Sequence, residues 1–476
     1  MVNSIDNEST AVGAADVAEL ARRVTGPVLL PGQEGYAEEC AMYNVIVPNN
    51  PAVVVGATGP SDIRAALAFA EAHELAVAVM NTGHSSAVGG DRVLMITTRR
   101  MDEVTVDPAA RRARAGGGAR WQQVVEAAAP YGLAPLNGSS PLVGVVGYTL
   151  GGGLSATMGR RYGWASDHVT ALDVVTADGE ERHVDAENEP DLFWAFRGSK
   201  SNLGVVTAIE FDLFPVTRLH GGAIIFPGEH AEAVLRAYAD LTAQAPNELT
   251  TSIAFMRMPD LPVFPEPLRG TFTVHVRISF LGSAADGEAL LKPLRAAAPV
   301  MVDTVADMPY SGFAAIYSDP DSPAPFAEGT LSLPPLTADL VTRLIEEIGP
   351  KADVPANIVE LRHLGGALRD TPAGAGAAGL REAEFVLWIA TAGGPEQTEP
   401  AVRWTSELFA GLEPWALAGK HLNFLGEEGL DTEALRAAYP APVYRRLARI
   451  KANYDPSNVF RLNHNILPSA GDIEQQ

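Results

Sequence analysis

Between Gly138 and Gly153 the chain reads GSSPLVGVVGYTLGGG, with five glycines in the last ten residues. Glycine loses the most backbone freedom on folding and offers no side chain to pack, so neither a stable helix nor a regular strand is expected there. Such a run suits a place where a large planar ligand, or a second backbone, comes very close. A second small-residue loop runs from Asn81 to Gly90 (NTGHSSAVGG), directly after the apolar stretch Val77 to Met80. Its glycines and serines flank one histidine, His84, and would let backbone N–H groups approach an anion such as a pyrophosphate. Taken alone, that loop is weak evidence, since a lone histidine in a glycine-rich turn is more often just a turn residue.

The glycine run contains an imitation of a dinucleotide fingerprint, Gly151-x-Gly153-x-x-Ala156, with Asp173 twenty residues past Gly153. Its context argues against a Rossmann unit. Gly159 and Gly163 interrupt the helix that should follow, and glycine-studded sequence replaces the buried strand that should precede.

Around these loops the pattern alternates strand and helix up to about residue 215. Val53 to Val55 read as a strand, and Ile63, Ala66, Leu67 and Ala70 recur at helical spacing. Val104 to Val106 and Arg112 to Ala115 flank an Asp107-Pro108 turn, before a helix carrying Trp121, Val124, Val125 and Ala128 on one face. Ala171 to Ala177 and Glu181 to Val184 form a hairpin over Asp178-Gly179, and Gly204 to Phe211 gives another strand. Beyond Pro215 the character changes. Period-two alternation at Thr271 to Phe280, Asn357 to His363 and Phe385 to Ala390 is separated by helical segments such as Ala231 to Ala243 and Leu336 to Ile348. An α+β unit follows, a sheet covered on one side by helices. Proline-rich stretches (Pro259 to Pro267, Pro320 to Pro325) read as loops at a surface or cleft. A helix from Thr432 to Ile450 and a polar turn-and-strand segment, Tyr454 to Ile466, close the chain.

With 476 residues, two or three structural units are expected. A net charge of −23 argues against nucleic acid and anionic membrane surfaces as partners. The single cysteine, Cys40, excludes an internal disulfide and a cysteine-based metal cluster, and no metal site is expected. No signal-like or membrane-spanning segment is evident, which points to a soluble, cytoplasmic protein.

Three segments together (Asn81 to Gly90, Gly138 to Gly153, Tyr454 to Ile466) carry a resemblance. Supporting stretches lie at Asp191 to Gly198 and Asn202 to Thr207. In order and spacing the chain resembles a berberine-bridge-enzyme-like member of the vanillyl-alcohol oxidase superfamily of flavoproteins, from about Arg23 to Pro468. The resemblance implies a two-part PCMH-type FAD-binding domain, residues 1–217 (its PCMH-type portion about 47–217) with a returning segment 430–476. It implies a substrate domain, 218–429, between the two parts. It also implies FAD joined covalently to His84. Asn81, Thr82, Gly83, His84 and Ser85, with Gly89 further along the loop, would hold the pyrophosphate. Pro141, Val143, Gly144, Gly147, Tyr148, Gly151, Gly152 and Leu154 would face the flavin and ribityl chain. Gly204 and Val206 would meet the adenine end, and Asn463 and Asn465 the isoalloxazine ring.

Two departures limit the transfer. Many relatives have a cysteine before the proline matching Pro141, giving a second link to the flavin; here that residue is Ser140. A single attachment is therefore expected. The positions where relatives carry a glutamate or tyrosine base align with Val386 and Phe424, neither of which can move a proton. The remaining candidates for the base are Tyr148, His363, Glu360 and His421, with His363 and Tyr148 favoured. Glu360 and His363 occupy opposite faces of one strand, so only one can look into a site.

The expected activity is oxidation of an apolar, aromatic or polyketide-like secondary metabolite by hydride transfer to flavin N5, with dioxygen as acceptor. The alternatives are a carbohydrate oxidase of the same family, or a lyase or cyclase that uses the flavin as a scaffold.

Overall fold

Alternating residues divide the central part of the chain into two faces. In the computed structural model, which describes residues 12–85, 89–258, 260, 266, 269–426, 431–462 and 464–469, the strands Phe272–Phe280, Ile358–His363 and Phe385–Ala392 join one antiparallel sheet. Arg218–Pro227, Leu249–Arg257, Phe326–Leu333 and the short Val302–Asp303 and Ala306–Pro309 complete its eight strands. One parity of side chains, including Ile253, Phe255, Val276, Val359, Leu361 and Leu387, is buried under helices Ala231–Ala243 and Ala338–Ile348. The other parity, including Arg277, Glu328, Glu360, Arg362 and Trp388, lines a cavity. A period of two thus assigns hydrophobic residues to the core and charged ones to the site.

The first part of the chain holds two smaller sheets. Val53–Gly56, Val93–Thr97 and Ala76–Met80 run parallel, with Val28–Leu29 antiparallel at the edge. Val53 to Gly56 are all buried, as a strand covered on both faces requires. Helix Pro60–Ala72 follows, and its Asp62 carboxylate accepts the backbone N–H groups of Thr25, Gly26 and Thr58, tying three segments together. The second sheet is antiparallel, in the order Val104–Asp107, Arg112–Gly116, Gly204–Asp212, Val169–Thr176, Glu181–Asp185.

The C-terminal residues pack back on this second sheet: Leu435, Tyr444, Leu447, Ile450 and Ile466 share a core with Trp121, Leu172 and Phe196. Among the described residues no helix is long and apolar enough to cross a membrane.

Three local expectations are corrected. The glycine run does form a helix, Val145–Leu150. It is only six residues long, with Gly144 and Gly151 at its caps and Gly147 alone inside it. The helix expected over 432–450 is two helices, Thr432–Ala437 and Ala441–Tyr454, because Pro440 supplies no N–H to continue the first. The terminal segment forms no strand among its described residues. Side chains satisfy its backbone instead: the Asp455 carboxylate accepts from Val459 and Phe460 N–H, and the amide oxygen of Asn202 accepts from Ile466 N–H. Buried Lys451 donates to the carbonyls of Asn202 and Phe460 and lies 3.2 Å from Asp455. These partners compensate its loss of water.

Candidate active site

The cavity lies between the glycine loops of the first part and the charged face of the large sheet, and about 430 Å³ of it is open to the centre of a water molecule. The loop after strand Ala76–Met80 is fixed by its backbone: Thr82 and Gly83 carbonyls accept from Tyr43 and Asn44 N–H, and Arg99 donates to the Asn81 carbonyl. Gly83 has φ +66°, and a Cβ there would stand 2.6 Å from Cβ of Met42, so only glycine fits. The His84 ring stacks on Tyr43 with centroids 3.9 Å apart, and its Nε2 is buried without a hydrogen-bond partner among the described residues. Burial, with the charge of Arg120 added and the Leu142 backbone opposing, lowers its pKa to about 4. The imidazole is neutral at pH 7.

Of the positions expected to hold FAD, Asn81, Thr82, Gly83, His84 and Ser85 line the cavity from one loop. Val143, Gly144, Gly147, Tyr148 and Leu154 line it from the glycine run, and Gly204 and Val206 from the antiparallel sheet. Gly89, Pro141, Gly151, Gly152 and Asn465 do not. A Cβ on Gly89 would meet Asn49 and Asn50, one on Gly151 would meet Asn423 and Lys200, and one on Gly152, whose φ is +107°, would approach Trp164. These glycines admit neighbouring protein instead of a ligand. The Pro141 carbonyl accepts from Gln122 N–H at the start of helix Trp121–Ala128. Asn463 lies outside the described residues, while His464, beside it, lines the cavity.

The cavity's residues fit a flavin dinucleotide. Two buried polar atoms on its loop, His84 Nε2 and Asn81 Oδ1, have no partner among the described residues, and a Cβ built on Gly147 would meet none of their atoms within 4 Å. Such unpaired groups are rare in folded proteins and point to a bound polar molecule.

The candidate bases separate clearly. His363 does not line the cavity. It lies on the other face of its strand, with Nε2 3.0 Å from Glu384 and 3.0 Å from Arg160. Burial lowers its pKa to about 4, against the pull of Glu384. Tyr148 does line the cavity, but its hydroxyl donates to the Leu136 carbonyl at 3.0 Å, and burial drives its pKa well upward. Glu360 faces the cavity between Arg277 (2.8 Å) and Arg362 (3.0 Å). Burial raises its pKa, but the charges of Arg362 and Arg277 outweigh this and hold it below the usual carboxylate range. It is a fixed anion. His421 lines the cavity between Trp164 and Phe424, and burial, with the charges of Lys200 and Arg362 added, lowers its pKa to about 3.

The sequence reading missed Glu328. It stands on strand Phe326–Leu333, lines the cavity, and accepts the indole N–H of Trp388 at 2.9 Å. Because it faces the cavity its surface is only part-covered, yet its depth in the protein raises its pKa to about 7, against the pull of Trp388, Lys200 and Arg362. Lys200, also at the cavity, is lowered to about 8 by burial, with Glu328 opposing. It donates to Gly147 O and to the Asn423 side chain, whose amide donates in turn to the Tyr148 carbonyl. The segment Phe326 to Leu333 reads Phe-Ala-Glu-Gly-Thr-Leu-Ser-Leu, and only the acid within it signals a role.

Glycine loops around an unpaired histidine, opposite a sheet bearing buried acids and guanidiniums, define a flavin-dependent oxidoreductase. Comparison with known proteins agrees. Residues 51–185 match the FAD binding domain family, and residues 432–467 match the family described as berberine and berberine like. (R)-6-hydroxynicotine oxidase of Paenarthrobacter nicotinovorans is 28% identical over 464 residues, covering 94% of this chain and 97% of that protein. An FAD-linked oxidoreductase of Dictyostelium discoideum is 24% identical, over 95% and 97%. Among solved structures, 6-hydroxy-D-nicotine oxidase from Arthrobacter nicotinovorans superimposes with a TM-score of 0.79 at 25% identity, covering 94% of this chain and 98% of that one. Xylooligosaccharide oxidase from Myceliophthora thermophila shares the fold, with a TM-score of 0.82 at 22% identity over 95% and 99%. The chain is an FAD-linked oxidoreductase carrying an FAD binding domain and a berberine and berberine like segment, with the α+β fold of PCMH-type flavoproteins.

Proposed function

We propose that this enzyme is an oxidase of an apolar, aromatic or polyketide-like small molecule, that it carries FAD through a single covalent bond to His84, and that Glu328 is its base. When bound, the flavin supplies a hydride acceptor that dioxygen can reoxidise, giving hydrogen peroxide. The loop Asn81 to Ser85, Val143, Gly144 and Gly147, and Gly204 with Val206 would hold it. The neutral, unpaired Nε2 of His84 supports the attachment, since a nucleophile needs its lone pair free. Ser140 lines the cavity where a second link would need a cysteine, and Cys40 is buried among Tyr36, Met42 and Met80.

The observation that carries the reading is the position and acidity of Glu328. A carboxylate at the cavity with a pKa near 7 is half ionised at neutral pH, which suits proton transfer to or from a bound molecule. Trp388 holds one of its oxygens, and among the described residues no hydrogen bond engages the other, which can take a proton. Trp388, Phe424 and Ile358 supply apolar walls. Mixing the purified yellow protein with candidate aromatics or sugars under anaerobic conditions tests the proposal. Bleaching by an aromatic, followed by peroxide on admitting air, is the expected result. Bleaching by sugars alone would make the enzyme a carbohydrate oxidase, and turnover of a substrate without bleaching would make it a lyase or cyclase.

A further inference from the structure

Among the described residues, three cationic side chains and three acids border the cavity. Arg277 and Arg362 share a single carboxylate, Glu360, and all three are largely buried. Lys200, from a loop, adds a third cation, and Glu328, on strand Phe326–Leu333, a second acid. Asp319, exposed at the edge of the same space, is the third acid, and its charge also acts on Arg362. His84, His421 and His464 are neutral at pH 7, each kept so by burial.

Arg362 keeps one donor open toward this space. Its Nε and Nη2 are engaged by one oxygen of Glu360, and among the described residues Nη1 makes no hydrogen bond. Three rings enclose the guanidinium: Phe424 at 4.9 Å, Trp388 at 5.3 Å and Tyr317 at 5.4 Å from their centroids. The rings fix its plane and form an aromatic slot around it. Trp388 also holds Glu328, so the open guanidinium and the proposed base border one indole.

We infer that Arg362 anchors an anionic oxygen of the substrate, so that the molecule oxidised is an aromatic carboxylate or phenolate. This rests on the reading of the cavity as the substrate site of an aromatic oxidase. The glycine loops that fit the cofactor's phosphates belong to a different part of the chain, and Arg362 stands on the sheet facing them.

The test is titration of the yellow holoenzyme at neutral pH with benzoate, pentafluorophenolate, benzamide and benzylamine, followed by the change in the flavin absorbance spectrum. At least one anion is expected to bind ten times or more tightly than neutral benzamide, with benzylamine weakest. Which of the two binds better distinguishes carboxylate from phenolate. Arg362→Gln should weaken that anion about ten- to a hundredfold, as loss of a charge-assisted hydrogen bond does. Its flavin content and benzamide affinity should stay unchanged, and Arg362→Lys should recover part of the loss. Benzamide binding as tightly as both anions, or Arg362→Gln binding them unchanged, overturns the inference. Should Arg362→Gln fail to fold, the charge series on the unaltered enzyme decides. Failure of the wider reading appears elsewhere, as unchanged turnover in Glu328→Gln, a variant that keeps Arg362 and the anion site.

Discussion

The indole N–H of Trp388 donates to Oε2 of Glu328 across 2.9 Å, joining neighbouring strands Phe385–Ala392 and Phe326–Leu333 on the cavity face of the sheet. In the register Trp388 lies opposite Thr330 and Glu328 opposite Ala390, so the bond is diagonal and depends on the pairing of the whole strand. Glu328→Gln keeps the shape and removes the base. Its kcat should fall by about 10²- to 10⁴-fold with flavin content unchanged, measured by anaerobic flavin reduction.

The same pair sets a pH dependence. A base with a pKa of about 7 works only when ionised, so the rate of flavin reduction should rise with pH through that value. The Trp388 hydrogen bond favours the ionised form, so Trp388→Phe should move the rise to higher pH. A rise that stays in place would remove Glu328 from the role.

Denaturing the protein in acid should leave the yellow colour with the polypeptide, and His84→Ala should release it to the supernatant. Colour that stays bound in the variant would place the attachment elsewhere.

Glu360 is a stability determinant. Glu360→Ala leaves Arg277 and Arg362 buried without their shared anion and should cost about 3–5 kcal/mol in denaturant unfolding. The folded-state pKa of Glu360 is depressed, so its contribution is present above the unfolded carboxylate pKa and is lost as pH falls through the folded value. His363 acts in the same direction over a higher range. Its folded pKa of about 4 lies below the 6.5 of the unfolded side chain, so acidification from 6.5 to 4 should destabilise the enzyme through this residue. Being off the cavity, His363→Ala should lower stability while the pH dependence of flavin reduction stays where it is.

Gly83→Ala tests the cofactor loop. The left-handed backbone costs a non-glycine residue about 1–2 kcal/mol, and the added methyl would press on Met42. Reduced flavin incorporation at nearly normal folding, read as the ratio of visible to ultraviolet absorbance, is expected.

Much of the fold was legible in the chain. The strands around Val53, Val104, Arg112, Gly204 and Phe272 and the helices Ala231–Ala243 and Ala338–Ile348 stand where hydrophobic period and turn chemistry place them. The glycine loops were legible too, since a left-handed backbone such as φ +66° at Gly83 is a local requirement for glycine. Strands Leu249–Arg257 and Phe326–Leu333 were not read, because threonine, serine, glycine and acid interrupt their apolar alternation.

Sequence by itself therefore determined which residues make core, which loops admit a dinucleotide, and that His84 is the histidine within one of them. Only the tertiary structure decided which acid can serve as a base. Glu328 and Glu360 are two glutamates on one sheet face. One stands between two guanidiniums and is held ionised; the other meets an indole and a partly titrated lysine, and burial wins. Proton affinity depends on distances to charges far apart in the chain, and strand pairing sets those distances.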